Sequence, residues 1–437
     1  MLVVLSFMNL ATLVWGQRYS MAYSSQDLRC LTEGRVDGMH LAYFQHGEPI
    51  ILPISTLTNP DLSLLNPLLY ENIQRLKEIL ADKGISLVLL PVPPRPLVFA
   101  KYLDPKDPIQ ASYDSSKMRQ AYLDFVSALN NLGVVTTDIL TPLEAYPPSF
   151  QPLNLFSDNH WSPLGAELSA KALAQTIQTQ LKDTYERLHK RRFVTEYLGD
   201  NVREHPLIDI INQICGGHIQ ATIPSYKTSP MAGDLLADEH IEVVYLGTSY
   251  GSDKFNFTGF LKEALSVDIL NYSLGGGTMF GALEEFLLHE RERLQDTKLI
   301  VWEFPFIDVN LTTLQDAEMS KFRELVANLE VGCKEIARAT LNITTPEGEA
   351  SYALLQQRLD TRATRLILSF SDENVREFDL RVKYLNDSED SYNFRRLDRI
   401  TAKGRFFLEL PKQGRIKELR LELLEPTQGT VTARFCR

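Results

Sequence analysis

From residue 66 to 84 the chain reads NPLLYENIQRLKEILADKG, with apolar positions at helical spacing and a stop at Gly84. That pattern predicts a helix closed by a glycine cap. The following ISLVLLPVPP is apolar without alternation, the mark of a strand covered on both faces. KMRQAYLDFVSALNNLG repeats the helix-to-glycine pattern, VVTTDIL predicts a second strand, and SPLGAELSAKALAQTIQTQL (162–181) predicts a third helix. IEVVYLG, VDILNYS (267–273) and TKLIVWEFPF (297–306) read as further strands, with helix-like segments at 252–266 and 281–296. Strands alternating with helices predict an α/β unit built on a parallel sheet. Ligands of such sheets bind beyond the carboxyl ends of the strands.

Near residue 340 the pattern changes. RLILSFSD, FDLRVKYL, GRFFLELP, IKELRLELLE and GTVTARFCR are short alternating runs separated by Gly, Pro, Asn and Asp. They predict an antiparallel β-sandwich. The expected division is a parallel-sheet α/β unit over 17–340 and a β-sandwich over 341–437.

Composition is that of an ordinary globular protein, with 44% apolar and 23% charged residues. A net charge of −11 excludes nucleic acid or another polyanion as a partner of the molecule as a whole. Residues 341–437 depart from this balance, with 17 Lys+Arg against 15 Asp+Glu. In YNFRRLDRITAKGRFF (392–407), Arg395, Arg396, Lys403 and Arg405 are interleaved with aromatics, so they are candidates to dock an acidic polymer. A solvated strand face gives the same pattern.

The opening MLVVLSFMNLATLVWG holds an apolar run too short to span a bilayer. Val14 and Gly16 are small enough for a cleavage site, so residues 1–16 read as a secretory signal peptide with Gln17 as the mature start. The usual basic n-region is missing. Cys30, Cys215, Cys333 and Cys436 include no CxxC pair, which argues against a metal site. An even count in an exported chain favours two disulfides, with three pairings open.

IEVVYLGTSYGSDKF (241–255) runs a strand into a glycine-flanked serine, Ser249. Gly-x-Ser-x-Gly between strand and helix is a nucleophile-elbow pattern, in which the next helix start offers N–H groups to an oxyanion. A plain strand-to-helix turn has the same appearance. The α/β-hydrolase order requires a histidine after the serine, and only His289 follows, within the helical EEFLLHERERL. The alternative lies upstream, in NLFSDNHWSPLGAELSA (154–170). There Asp158 and His160 stand two residues apart before a helix with Ser162 as N-cap and Pro163 at N1. Asp-x-His lets the carboxylate orient one ring nitrogen while the other faces the serine. A capping loop with a structural histidine is the plainer reading of the same residues.

GTSYG, the upstream DNHW and the later ILNYSLGGG together resemble the AlgX/AlgJ group of SGNH-type alginate O-acetyltransferases. The resemblance is to the AlgX branch, which adds a carbohydrate-binding β-sandwich. It implies that Ser249 is the nucleophile, His160 the base and Asp158 its orienter. It also implies the disulfides Cys30–Cys215 and Cys333–Cys436. LLPVPPRP (89–96) resembles a Pro-rich loop that follows the family's first strand, and VWEFP (301–305) resembles a segment near the family's active site. Arg95, Tyr250 and Trp161 are the substrate-binding candidates there. Ser249, Asn271 and Gly276 are the oxyanion-hole candidates.

The activity so implied is transfer of acetyl, through acetyl-Ser249, to hydroxyls of an acidic or neutral exopolysaccharide such as alginate. No metal or cofactor is required. The acetyl donor implied is a membrane-bound O-acyltransferase, acting with other polysaccharide secretion proteins in the periplasm. An acetyl esterase would use the same three residues with water as acceptor. A non-catalytic carbohydrate-binding scaffold would need none of them. Sequence leaves open which polysaccharide, hydroxyl and donor are used.

Overall fold

The computed structural model describes residues 28–32, 38–43, 49–57, 67–146, 158–203, 206–217, 220–231, 241–313, 315–330, 332–345, 350–355, 364–410 and 415–437. The expected signal peptide lies outside the described residues. The chain divides into two compact units. The first draws on Met1–Leu64, Val88–Gly275 and Lys298–Asn310, the second on Leu65–Leu87, Gly276–Thr297 and Leu311–Arg437.

In the first unit β1 (Met39–Tyr43) and β2 (Pro49–Pro53) pair antiparallel. β3 (Ser86–Val92) and β4 (Val135–Thr136) enter a central sheet, while β5 (Phe193–Arg203) and β6 (Ala221–Pro230) form a second antiparallel pair. β7 (Val243–Gly247), β8 (Ile269–Ser273) and β9 (Leu299–Pro305) complete the sheet in the order β4-β3-β9-β7-β8. β3 with β4, and β7 with both β8 and β9, run parallel. The unbroken apolar runs of β3 and β7 are buried on both faces, as central strands must be.

The longer helices are α1 (Pro67–Ala81), α2 (Ser115–Asn131), α3 (Pro163–Gln180), α4 (Pro206–Cys215), α5 (Phe257–Leu265), α6 (Gly281–His289) and α7 (Gln315–Leu329). On one face of the sheet, α3 and α5 pack against Val243, Tyr245, Leu299 and Val301. On the other, Phe125 of α2 meets Phe304 of β9 edge-on at 6.4 Å, and Tyr122 meets Phe306 at 5.2 Å. The first unit is therefore the α/β sheet with helices on both faces that the alternating pattern predicts.

VVTTDIL yields only a two-residue strand. Thr137 N–H still donates to Leu89 O, but the Asp138 carboxylate then accepts from the N–H groups of Leu140 and Thr141. That side chain starts the short helix Leu140–Glu144 and ends the strand.

The second unit holds a sandwich of two antiparallel four-stranded sheets. Its strands are β10 (Glu335–Thr345), β11 (Ala350–Leu355), β12 (Arg365–Phe370), β13 (Glu377–Tyr384), β14 (Glu389–Arg395), β15 (Arg405–Glu409), β16 (Ile416–Leu423) and β17 (Thr427–Cys436). The sheet orders are β10-β17-β12-β15 and β11-β16-β13-β14. Alternation buries every second side chain along β13 and from Leu419 to Leu423 of β16, and in the core between the sheets Phe378 stacks on Phe394 and meets Phe406 edge-on. The division expected at 340/341 falls inside β10. Helices α1, α6 and α7 are grouped with the sandwich.

Cys30 is bonded to Cys215 and Cys333 to Cys436. The first pair sits in a small core with Leu31, Leu41, Ile208 and Ile211. The second closes a separation of 103 residues, with Cys436 buried among Ala327, Ile367 and Phe407. Two such bonds fit an oxidising, extracytoplasmic compartment. Replacing Cys333 and Cys436 together by Ser should lower stability by about 2–5 kcal/mol, read as an earlier urea midpoint. An unchanged midpoint would contradict this account of the bond.

Candidate active site

Three strand ends converge on one cleft in the first unit. β7 ends at Gly247 and passes through Thr248 into a 3-10 turn, Ser249–Gly251. β3 ends at Val92, and Pro93-Pro94 leads into the short helix Arg95–Val98. β9 ends at Pro305 and continues into a 3-10 segment that carries Asp308. The Asp158–His160 loop completes the site. It is anchored by α3, whose N-cap Ser162 accepts the Gly165 N–H at 3.1 Å with Pro163 in the first turn. This is the cap expected from the sequence.

Asp158 is buried, and its Oδ1 stands 2.5 Å from His160 Nδ1. His160 Nε2 stands 2.6 Å from Ser249 Oγ. An ionised carboxylate only accepts, so Nδ1 carries the ring proton and Nε2 accepts from the serine hydroxyl. The structure thus brings together the three residues singled out by sequence.

Two hydrogen bonds lace the histidine loop to the serine turn in opposite directions. Trp161 Nε1 donates to Tyr250 O at 3.1 Å, and Tyr250 OH donates to Asn159 O at 2.8 Å. The His160 ring stacks on Phe255 with centroids 5.1 Å apart, and Trp161 stacks on Phe257 at 4.8 Å. Burial raises the Tyr250 phenol well above its ordinary range, so it stays a donor. Trp161 is 2% exposed. It is therefore a core brace, which corrects its reading as a substrate-binding residue. Tyr250 lines the cleft, but its hydroxyl and ring are engaged in the same brace.

The serine turn is pinned from below by Glu303, a residue that sequence reasoning did not single out. Its buried carboxylate accepts from Thr248 N–H at 2.6 Å, from Thr248 Oγ1 at 3.0 Å and from Tyr245 OH at 3.0 Å. A Cβ at Gly247 would stand 2.5 Å from Glu303 Oε2, and one at Gly251 would stand 2.1 Å from Ser273 Oγ. Neither glycine has positive φ. Both are required by close approach of neighbouring side chains rather than by a left-handed backbone. The signal for Glu303 was a lone charge inside the apolar LIVWEFP run.

The expected helix does not begin at the serine. A second 3-10 turn, Asp253–Phe255, intervenes, and α5 starts after Asn256 at φ +55°. The turn uses the N–H groups of Gly251 and Ser252 on Thr248 O and Ser249 O. Asn271, expected as an oxyanion donor, spends its amide on Gly251 O at 2.8 Å and Asp253 Oδ1 at 3.2 Å, so it holds the turn. Gly276 belongs to the second unit, where φ +71° and a missing Cβ make room for the Arg399 guanidinium.

The cleft has a volume of about 330 Å³. Ser55, Thr56, the Pro93–Pro96 loop, Ile307 and Asp308 face His160 and Ser249 around it. Arg95 lines it while buried, with one guanidinium nitrogen donating to Ile51 O at 2.6 Å. Burial lowers Arg95 to about 10, opposed by the charge of Asp158. Burial pushes Glu303 up to about 7 against the pull of its hydrogen bonds, and it also pushes Asp308 up to about 7.

The basic stretch of the tail reads differently in three dimensions. Arg396 is buried, paired with Glu284 at 2.9 Å and Glu324 at 3.2 Å, and stacked over Phe406. It is an internal tie, which corrects its reading as a docking residue. Arg395 is neutralised by Asp379 at 3.0 Å, and Lys403 Nζ reaches Leu288 O. Arg405 is exposed, its guanidinium over Phe407 at 5.5 Å.

A parallel sheet that gathers serine, histidine and aspartate beyond its strand ends is an arrangement that SGNH hydrolase-like domains share with other hydrolase folds. This chain belongs to the family described as SGNH hydrolase-like domain, acetyltransferase AlgX, which matches residues 65–306. It is 26% identical over 354 residues to alginate biosynthesis protein AlgX of Pseudomonas fluorescens, covering 78% of this chain and 71% of that protein. It is 28% identical over 246 residues to the probable alginate O-acetylase AlgJ of Pseudomonas syringae pv. tomato, covering 53% and 60%. Its fold matches the structure of Pseudomonas aeruginosa AlgX with a TM-score of 0.71 at 22% identity, over 91% of this chain and 94% of that one.

Glu303 also makes stability depend on pH. The folded chain holds its proton up to about 7, whereas the unfolded chain releases it near 4.5. Stability therefore falls as pH rises through that window. Glu303→Gln should flatten this part of a melting-temperature profile. Glu303→Ala should lower acetyl turnover by about 10²-fold through a displaced serine turn. A profile unchanged in Glu303→Gln would count against the assignment.

Proposed function

We propose that this chain is a polysaccharide O-acetyltransferase working through an acetyl-Ser249 intermediate. The observation that carries the reading is the Asp158–His160–Ser249 relay, with contacts of 2.5 Å and 2.6 Å. The family and the names of its AlgX and AlgJ relatives support the acetyl group and the polymeric acceptor.

Ser249 Oγ attacks the acetyl carbonyl carbon as His160 Nε2 takes its proton, and Asp158 stabilises the imidazolium that forms. The bond to the donor's leaving group breaks, and that group takes the proton from His160. A sugar hydroxyl then gives its proton to His160 and attacks the acetyl carbon. The bond to Oγ breaks, and the proton returns to Ser249. The Ser249 backbone N–H is the oxyanion donor we assign in both tetrahedral states. The acceptor is an exopolysaccharide, for which alginate is the precedent in the relatives' names. The β10–β17 sandwich, Glu335 to Cys436, serves as its carbohydrate-binding module. A membrane-bound O-acyltransferase supplies acetyl in the periplasm, alongside other secretion proteins.

In a two-substrate assay with an activated acetyl ester and candidate oligosaccharides, wild-type protein should yield acetylated sugar by mass spectrometry. Ser249→Ala should reduce that yield by at least about 10³-fold without loss of fold. Undiminished turnover in the variant would refute the nucleophile. Serine-dependent acetate without acetylated sugar would favour an esterase.

A further inference from the structure

Within the second unit, the end of α6 runs beside the segment 401–405. Thr401 donates its N–H and its hydroxyl to Glu285 at 2.8 and 2.9 Å. His289 Nε2 stands 3.3 Å from Thr401 O, and Lys403 Nζ donates to Leu288 O at 3.4 Å. This register brings Arg291, in the 3-10 turn Arg291–Gln295, into charge range of Arg405 at the start of β15. Arg405 is exposed, while Arg291 and Lys403 are half-buried.

Three cations thus share one seam, and none has an ion-pair partner among the described residues. The neighbouring carboxylates are engaged elsewhere. Glu285 is held by Thr401, Glu290 by Arg293, and Glu284 by Lys321 and Arg396. Glu292 acts on Arg293 rather than on Arg291. Arg291 gives one nitrogen to Glu330 O at 2.8 Å and Lys403 one proton to Leu288 O, so each keeps further donors. The Arg405 guanidinium lies over Phe407 at 5.5 Å, and its backbone O accepts from Arg396 at 2.9 Å. Cations gathered without counterions repel one another. A carboxylate entering between them relieves that repulsion and receives forked N–H donors.

We propose that Arg291, Lys403 and Arg405 form a seat for carboxylates of an acidic polysaccharide, so that the second unit holds the polymer through its uronate groups. The inference rests on the reading of the acceptor as an exopolysaccharide and gives that acceptor a class. On a chain of net charge −11, an acidic polymer is held where cations locally outnumber carboxylates. Of the basic residues singled out by sequence, Lys403 and Arg405 belong to the seat, whereas Arg395 and Arg396 are neutralised within the fold. Arg291 joins them from a distant part of the chain.

The test is calorimetric titration of the full chain with a uronate hexasaccharide and with a neutral hexose hexasaccharide of the same linkage. Wild-type protein should bind the uronate at least about tenfold more tightly, with the advantage shrinking as salt rises. Arg405→Gln and Lys403→Gln should each weaken uronate binding at least about fivefold. Arg405 donates no side-chain hydrogen bond among the described residues, so its variant keeps the fold. Arg395→Gln, at a guanidinium already paired with Asp379, should leave binding unchanged. Affinity unchanged in folded Arg405→Gln and Lys403→Gln, or an equal loss in Arg395→Gln, would overturn the proposal. Polyglutamate of the same charge bound as tightly would overturn the sugar class. Ser249→Ala should bind as wild-type protein does. Arg405-dependent binding without any acetylated sugar would sink the transferase reading alone and uphold the seat.

Discussion

The contact between the buried Glu303 carboxylate and the Thr248 N–H, at 2.6 Å, sets where Ser249 sits. An anion in that position needs room and donors. Gly247 supplies the room, while Thr248 and Tyr245 supply the donors. The charge is costly to bury, as the rise of Glu303 to about 7 shows. It is tolerated because three hydrogen bonds converge on it. The serine turn is thereby fixed to β9, the middle strand of the sheet, rather than to the loop above it.

The histidine needs the same rigidity from the other side, and it receives it by different means. Its loop is capped onto α3 by Ser162 and laced to Tyr250 by two reciprocal hydrogen bonds. Phe255 under the ring and Phe257 under Trp161 restrict tilt. A 2.6 Å contact between groups 89 residues apart in sequence is held by packing on both partners, so little ordering remains for the reaction itself.

Much of this was legible in the chain. Apolar runs identified β3, β7 and, with Glu303 inside it, β9, and the order of Asp-x-His before Gly-Thr-Ser pointed to the histidine that stands 2.6 Å from Ser249. What was not legible depended on long-range burial. Trp161 and Arg396 looked like surface recognition residues because type and neighbours alone do not reveal what covers them. The former braces the site, and the latter balances Glu284 and Glu324 inside the second unit. Asn271 carries the right chemistry for an oxyanion, but Gly251 O and Asp253 claim its amide first. Strands β10 and β14 escaped notice because their polar sequences, EIARATLNITT and EDSYNFR, carry only a faint apolar alternation.

The most direct measurement is to trap the covalent intermediate. Protein treated with an activated acetyl ester, quenched in acid and digested, should carry acetyl on the peptide that contains Ser249. The same peptide from His160→Ala should be unlabelled at matched times. Acetyl found on another residue, or on Ser249 to the same extent without His160, would contradict the relay at the centre of this account.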